Sequence, residues 1–372
     1  MQESAMLTYK NLVELETALR GRTVLSVYVN GEEPDPAKRR RWRVDLRNSL
    51  NDIQAWLEGS SHAEREAFLA CRRMLLEQLD AMRGIVRGPG WSGFYTIDGA
   101  THTGPVPAPV PTMAVWSTGP CLTPYVRALK ESRPLFVMIA DSRKVRIFRY
   151  AARAITSVET LHAKARVEHP THMGAPPRPG FHTGTRGTAG ADEAQRELHE
   201  GTMHMLHQAV DKLAQLATDS AFIVVGGIPT VARALLRLLP VDVAQRATHA
   251  EGLDVHATKA EVAEVARQSA SLMRNAEDLR LIDEALAGAA GNGRGVTGSV
   301  DTQRALAEGR ARDVYFTQAF LENHTADAEA IVRLALGTQA QLEQVSGAAA
   351  ARLDEVGGIA ARLRYAAAPA LI

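Results

Sequence analysis

The first third of the chain predicts a strand, two helices and two further strands. Residues 23–30 (TVLSVYVN) form a short run rich in β-branched side chains, and the glycine and prolines after it predict where a strand ends. Apolar residues then recur at helical spacing and predict a helix with one apolar face: Trp42, Leu46, Leu50, Ile53 and Leu57. A second helix is predicted over 62–82, and strands over 91–97 and 112–118.

The middle third alternates strands and helices around one long polar stretch. Its patterns predict strands over 134–141, 144–150, 154–161 and 222–226, and helices over 192–217 and 230–239. The short connection between the first two strands predicts a hairpin. Residues 168–191 are rich in Gly, Pro, His and Thr, and a loop of that length is usually functional or disordered. The alternation of strand and helix predicts an α/β domain.

The last third opens with a long predicted helix and continues as a second α/β unit. The predicted elements are a helix over 259–287, a strand over 313–317, a helix over 326–336, a strand over 341–345 and a helical or extended end over 356–365. Between the first two lies the glycine-rich stretch 288–298, which predicts a linker or turn. Ser299 is expected to cap a further helix, which would end at the C-cap glycine Gly309.

Length and composition predict several domains and exclude some classes of protein. The 372 residues exceed a comfortable single core, and we expect domains at 1–130, 131–252 and 253–372. No apolar run approaches the roughly 18 residues of a membrane span, and the polar start lacks a secretory pattern, so the cytoplasm is expected. Two cysteines are too few for a disulfide framework.

Arginine dominates the basic residues and forms one dense run. Lys+Arg total 43 against 42 Asp+Glu, and only seven of the 43 are lysines. Arginine offers a planar donor fork that suits phosphate. The run extends from Lys38 to Arg43. The candidate RNA-binding residues are three of its arginines, Arg39, Arg40 and Arg43, together with the later Arg47. The last three fall along one helical stripe that could follow a phosphate backbone, or could be a solvated face balanced by Asp45 and Asp52.

Histidines and glycine loops predict neither a metal nor a nucleotide site. His199 and His204 resemble a helical zinc motif, but their spacing of five residues turns the second about 100° off the shared face. His204 and His207 could chelate together without an obvious third ligand. The loops at 226–227 and 291–295 lack the residues of a phosphate-binding loop. No cofactor and no metal are therefore expected.

The long loop is the second candidate contact surface. The loop leads directly into the N-terminus of a predicted helix, and a helix N-terminus is a site suited to anions. As a mobile cationic segment, the loop would reach into a partner. The alternative is an insertion without a role. The candidate RNA-contacting residues are His182, Thr185, Arg186, Gly187, Thr188 and Gly190.

Three motifs carry a resemblance to a known family. They are the stretch 299–309 (SVDTQRALAEG) with the strand after it, the stretch 357–365 (GGIAARLRY), and the first strand with its Arg/Trp helix. In these the sequence resembles the archaeal and eukaryotic class-one translation termination factors and Pelota, in the bacterial branch that includes the hibernation factor Balon.

The resemblance implies a fold and a place of action. The fold would be α/β with three domains: an α/β N-terminal domain, an RNase H-like middle domain and a C-terminal domain of the kink-turn-binding ribosomal-protein type. Such a protein would fill the A site of the 70S ribosome as a tRNA mimic and as a monomer. The N-terminal domain would lie near the decoding centre, the middle loop would point toward the peptidyl transferase centre, and the third domain would make peripheral contacts. Delivery by an elongation-type GTPase is left open.

One departure from the family pattern bears on chemistry. Termination factors carry Gly-Gly-Gln in the middle-domain loop, whereas residues 185–192 read TRGTAGAD and no Gly-Gly-Gln occurs in the chain. Gln195 is expected to lie in the following helix, too constrained for that role. Peptidyl-tRNA hydrolysis is therefore not expected, and Arg186 becomes a candidate contact to ribosomal RNA or to the acceptor end of a tRNA.

Three functional hypotheses follow. The leading one is a non-enzymatic A-site factor in ribosome hibernation or in rescue of stalled ribosomes. The second is a peptidyl-tRNA hydrolase or nuclease-type rescue enzyme in which His182 or Asp192 handles protons. The third is an interaction module that keeps the fold and has left the ribosome.

Overall fold

The protein is described by a computed structural model that covers residues 8–32, 41–82, 86, 88–151, 153–163, 186–217 and 221–366. By its internal contacts the chain divides into two compact units. One unit combines Met1–Ser132 with Arg274–Ile372, and the other is Arg133–Met273. The predicted boundaries after residues 130 and 252 stay predictions.

Helices and strands of the described residues are numbered in chain order. The helices are α1 (Tyr9–Leu19), α2 (Trp42–Trp56), α3 (His62–Ala81), α4 (Thr123–Ser132), α5 (Arg186–Leu216), α6 (Pro229–Leu238), α7 (Val241–Ala244), α8 (Lys259–Ala287), α9 (Ser299–Ala307), α10 (Gln318–Asn323), α11 (Thr325–Gly337) and α12 (Gly347–Asp354). The strands are β1 (Thr23–Asn30), β2 (Gly90–Thr96), β3 (Gly99–Val106), β4 (Met113–Thr118), β5 (Leu135–Ala140), β6 (Lys144–Ala151), β7 (Ala154–His162), β8 (Phe222–Gly227), β9 (Ala247–His249), β10 (Gly295–Thr297), β11 (Ala311–Phe316), β12 (Gln341–Gln344) and β13 (Ile359–Leu363). This mixture confirms the predicted α/β fold class.

The first sheet of the larger unit is antiparallel, with strand order β3-β2-β1-β4. Its central strand β1 is buried on both faces, because successive side chains of a strand point to opposite sides. Leu25, Val27 and Val29 pack under α2 and α3, in a core that contains the predicted apolar face of α2. Val24 and Tyr28 pack on the other side, in a core shared with α1, α4 and elements from the C-terminal part of the chain.

The second sheet of the larger unit lies in that C-terminal part, with strand order β10-β13-β11-β12. Only the β11–β12 pair is parallel, and α11 connects these two strands in sequence. One core of this sheet involves α9, α10 and α11, and a smaller one involves α8 and α12. Gly309 follows α9 with a φ of 67°, the left-handed conformation predicted for a C-cap glycine.

The sheet of the smaller unit has the order β7-β6-β5-β8-β9, with β5, β8 and β9 parallel and β5, β6 and β7 antiparallel. Helices α5 and α6 pack on one face and α8 on the other. The predicted hairpin is the β5–β6 pair. Strand β8 ends on Gly227, whose φ is 106°; a Cβ there would lie 1.9 Å from the Ala140 carbonyl oxygen, so no side chain fits.

Several sequence predictions need correction. Helices α1 and α4 and strand β3 were not predicted. The glycine-rich stretch 288–298 is more than a linker, because it forms a π-helical turn and strand β10. Ser299 does not cap α9: Gly298 is the N-cap residue, and the Ser299 hydroxyl accepts a hydrogen bond from Gln303 instead. The stretch 356–365, predicted to be helical or extended, contains strand β13.

Candidate nucleic-acid interface

Helix α2 presents two of the predicted arginines on its outer surface. Trp42, Leu46 and Leu50 are buried against the first sheet, which leaves Arg43 and Arg47 exposed. The guanidinium carbon of Arg43 lies 5.5 Å from the centroid of the Trp42 ring, so the buried indole orients it. The four-residue spacing puts both arginines on one helical face. Arg39 and Arg40 lie outside the described residues.

Within the part of the chain that the structure describes, no carboxylate forms an ion pair with either arginine. The Asp45 carboxylate lies 4.0 Å from the Arg41 guanidinium, which is its ion-pair partner. Within the described residues, the side chain of Arg47 has neither an ion pair nor a hydrogen bond. Asp45 is therefore paired with Arg41 and not with Arg43 or Arg47, while the alternative of a solvated face balanced by Asp45 and Asp52 stays a prediction.

Helix α3 adds arginines that the sequence reasoning missed. Arg72 donates hydrogen bonds to the side chains of Asn51, at 3.0 Å, and Gln54, both on α2. This contact turns one stripe of α3 toward α2. Its members, spaced i, i+4, i+7 and i+11, are Arg65, Leu69, Arg72 and Leu76. The spacing was visible in the sequence, but no local signal told which helix the stripe would face.

The predicted loop residues fall in two groups. His182 and Thr185 lie outside the described residues. Arg186, Gly187, Thr188 and Gly190 are in the first turns of α5, and their side chains are not described. The expectation of a loop through residue 191 is thus wrong for 186–191. Once a helix is nucleated, each added residue gains one hydrogen bond, so α5 extends through the two glycines.

The histidines of α5 are exposed, and one of them, His204, makes a local contact. The Nε2 atom of His204 lies 3.0 Å from the Nε2 atom of Gln208, one turn further along the helix. Across the ranges that the structure describes, no group of three His, Cys, Asp or Glu side chains could hold a metal ion.

A shallow cavity in the smaller unit is lined by carboxylates that serve local structure. Asp254 accepts a hydrogen bond from the His256 amide at 2.7 Å, and Glu261 accepts two from Thr258 at the start of α8. Hydrogen bonds from Arg267 and Gln268 lower the pKa of Glu264 to about 2. Asp254 and Glu261 therefore cap a turn and the start of α8, and Glu264 is paired within that helix.

Comparison with known families gives one match. Residues 120–271 match the model of bacterial archaeo-eukaryotic release factor family 10. This range includes α4 and almost all of the smaller unit. The predicted resemblance to bacterial release-factor/Pelota-like proteins is thereby confirmed, while the finer resemblance to Balon stays a prediction. No curated protein matches the sequence.

The chain also matches solved structures of Pelota, Dom34 and an archaeal termination factor, each with a TM-score below 0.5. Pelota of Archaeoglobus fulgidus is 16% identical with a TM-score of 0.34, over 64% of this chain and 67% of that one. Yeast (S. cerevisiae) Dom34 is 11% identical with a TM-score of 0.46, over 64% and 66%. Archaeal termination factor aRF1 is 16% identical with a TM-score of 0.25, over 98% and 100%. The chain thus spans about two thirds of the Pelota and Dom34 chains.

In the described part of the chain, no helix combines the length and the apolar character that crossing a bilayer requires.

Proposed function

We propose that this protein is a ribosome-binding translation factor that fills the A site in the manner of a tRNA, in hibernation or in rescue of stalled ribosomes. The observation that carries the proposal is the match of residues 120–271 to a release-factor family. The two motifs at 299–309 and 357–365 lie outside that match, in the larger unit, and resemble the same superfamily. Two separate parts of the chain therefore support one class.

The proposal excludes peptide release. Release requires a flexible Gly-Gly-Gln that places a water molecule on the peptidyl ester, and no such tripeptide occurs in the chain. Gln195 lies inside α5, where its backbone is committed to helical hydrogen bonds. The protein would hold the ribosome in one state without cleaving the ester.

Binding is expected to depend on arginine–phosphate contacts. Arg43 and Arg47 are exposed on α2, and each phosphate contact releases condensed counterions, so affinity should fall as salt rises. The net charge of +1 means that this interaction depends on where the charges lie, not on their sum.

Co-sedimentation with purified 70S ribosomes tests the proposal. The full-length protein should pellet with vacant ribosomes at low salt, less at moderate salt, and less again when a tRNA already fills the A site. Ribosomes stalled with peptidyl-tRNA on a truncated message separate the two roles: preference for vacant ribosomes indicates hibernation, and preference for stalled ones indicates rescue.

Two results would contradict the proposal. One is the absence of pelleting with vacant and stalled ribosomes alike at low salt. The other is release of labelled peptide from peptidyl-tRNA in the stalled complex, which would favour the hydrolase hypothesis. The protein spun alone controls for aggregation.

A further inference from the structure

Two rows of side chains face each other across the outer surface of α2 and α3. The α2 row, spaced i, i+4, i+8 and i+11, consists of Arg43, Arg47, Asn51 and Gln54. The α3 row is Arg65, Leu69, Arg72 and Leu76. Arg72 joins the rows through its hydrogen bonds to Asn51 and Gln54, which fixes their register. We call the surface between these eight residues the α2–α3 groove.

We infer that the α2–α3 groove binds the phosphate backbone of folded RNA. This inference rests on the proposed function, because it names the part of the ribosome that this surface would contact. Four arginines line the groove, two on each wall. Arg72 contacts the opposite wall at Asn51 and Gln54, and at a rise of 1.5 Å per residue the other three arginines lie within about 15 Å of that point along the helices. One RNA backbone that follows the groove can therefore contact guanidinium groups on both walls.

The groove arginines are available for a ligand. Arg43, Arg47 and Arg65 have no ion pair within the described residues and are exposed. On α8, by contrast, Arg267 is paired with Glu264 at 2.6 Å and so is held within its own helix. Arg72 is half-buried, and the two amide oxygens that it contacts are neutral, so its positive charge is not offset.

Neither row contains a carboxylate. Continuing each row by four residues reaches Glu58, in the 3-10 turn Leu57–Gly59 that follows α2, and Asp80, near the end of α3. These acidic ends limit the length of backbone that the surface accepts. The groove is therefore a short basic segment with defined ends, which suits a local contact to a larger RNA.

The lining favours backbone contacts over contacts to bases. Binding of single strands depends on aromatic rings on which bases stack, and neither row contains an aromatic residue. The Trp42 ring beside Arg43 is only 7% exposed. Leu69 and Leu76 are 37% and 45% exposed and offer apolar contact to sugars between the arginines. Bidentate arginine–phosphate pairs then supply the affinity without reading sequence.

A binding experiment with the full-length protein tests the inference. The probe is a fluorescein-labelled RNA duplex of about 20 base pairs, followed by anisotropy at KCl concentrations from about 50 to 150 mM. The test variant, Arg47→Glu/Arg65→Glu, removes one arginine from each wall. The matched control, Arg233→Glu/Arg237→Glu, changes charge equally at an exposed i, i+4 pair on α6 in the smaller unit.

The salt dependence gives the decisive number. Each lost phosphate contact lowers the slope of log K against log salt by about 0.9, so the test variant should lose about 1.8 from the slope. Over a threefold rise in salt, wild type should lose roughly 7-fold more affinity than the variant. The α6 control should keep the wild-type slope, and Arg47→Lys/Arg65→Lys should retain most of it. Thermal unfolding of each variant checks that the fold is intact.

Several results would overturn the inference. Equal slopes for the test variant and the α6 control would show that the contact is not in the groove. Tighter binding of a single-stranded RNA of equal length would indicate base stacking. Equal binding of polyglutamate would indicate an acidic protein as the partner.

Ribosome co-sedimentation of the same variants separates this inference from the proposed function. If wild type and the groove variant pellet equally with 70S ribosomes, the proposed function stands and the groove inference falls. If wild type binds the duplex through the groove but pellets with neither vacant nor stalled ribosomes, the groove binds RNA and the proposed function falls.

Discussion

The two faces of the first sheet are closed in different ways. One face is covered by α2 and α3, which lie between β1 and β2 in sequence, and its core contains no residue from the C-terminal part of the chain. The other face is covered by α1 and α4 together with α9, α10 and α11. The first face is therefore a local product of the N-terminal region, and the second exists only when distant segments meet.

Buried aromatic rings form the centre of the second face. Tyr28 and Phe94 are fully buried and pack edge to face at 5.9 Å, and Phe94 stacks on Tyr125 of α4 at the same distance. The Tyr28 hydroxyl donates to the carbonyl of Cys121 at 2.6 Å. Large aromatic rings with satisfied hydroxyls thus pack at the centre of this face, as expected for a core.

Polar contacts then fix α4 against the C-terminal elements. The Glu329 carboxylate on α11 accepts hydrogen bonds from the backbone amides of Leu122 and Thr123 and from the Thr123 hydroxyl, so a residue some 200 positions away caps α4. Lys130 at the other end of α4 contacts both oxygens of Asp278 at 2.5 Å. The second face should therefore couple the stability of both parts of the larger unit.

The largest effect is expected from removing one buried aromatic ring from each face of the first sheet. Phe94→Ala and Phe68→Ala each remove a buried ring and should each cost about 3–5 kcal/mol in the free energy of unfolding. Because Phe94 shares its core with the C-terminal elements, only its loss should speed amide hydrogen exchange in β11 and α11. Phe68, which packs edge-on to Trp116, is the matched control. Equal exchange in both variants would contradict the coupling.

A somewhat smaller effect is expected from the buried ion pair. Lys130→Met leaves the fully buried Asp278 carboxylate without its cation and should cost about 3 kcal/mol. Lys130→Met/Asp278→Leu should recover part of the loss. Lys212→Met breaks the half-exposed pair with Glu159 and should cost less than about 1 kcal/mol, which urea unfolding can resolve. A Lys130→Met loss no larger than that of Lys212→Met would show that the pair adds little to the second face.

The smallest effect concerns Glu16 of α1, which is 3% exposed on the second face. Burial raises the pKa of its carboxyl group, with Arg20 opposing the shift. A raised pKa contributes stability below the unfolded value of 4.5 that is lost as pH rises through the folded value. At pH 7, Glu16→Gln should therefore raise the free energy of unfolding by less than about 1 kcal/mol, which thermal unfolding would show as a higher midpoint. This gain should shrink below pH 4.5.

Exposed Glu14 provides the control for this pH dependence. Its side chain is 60% exposed and 3.8 Å from Lys10. Glu14→Gln should leave the pH profile of unfolding unchanged. A Glu16→Gln variant less stable than wild type at pH 7 would show that the charged carboxylate is favourable where it stands.

Sequence patterns predicted the elements whose burial follows a simple period. Strand β1 and helix α8 have the bounds that their patterns predicted, and the apolar face of α2 is the buried one. Strand β3 was missed because its glycines and a proline interrupt any alternation of polar and apolar residues. Helix α4 was missed because its apolar side chains pack against elements from the C-terminal part of the chain, which no local pattern shows. The spacing of Leu12, Leu15 and Leu19 could have predicted α1.

The residues of the candidate site also fall into those that a local pattern predicts and those that only packing brings together. Arg43 and Arg47 could be predicted, since a basic run beside an amphipathic pattern places charges on the outer face of a helix. Arg65 and Arg72 could not, because their relation to α2 depends on how two helices pack. The start of α5 at Arg186 could not be predicted either, because its first residues are rich in glycine. They are helical because adding a residue to an existing helix gains a hydrogen bond.

By itself the sequence determined the class of fold, the order of most elements, the lack of Gly-Gly-Gln and the arginines of α2. Each of these depends on neighbours within a few turns of chain, where period and composition act directly. Only the tertiary structure decided that α3 completes a basic groove, that Glu329 caps α4, and that the first sheet shares a core with the C-terminal part. Such contacts join residues far apart in sequence, so they appear only when the packed faces meet.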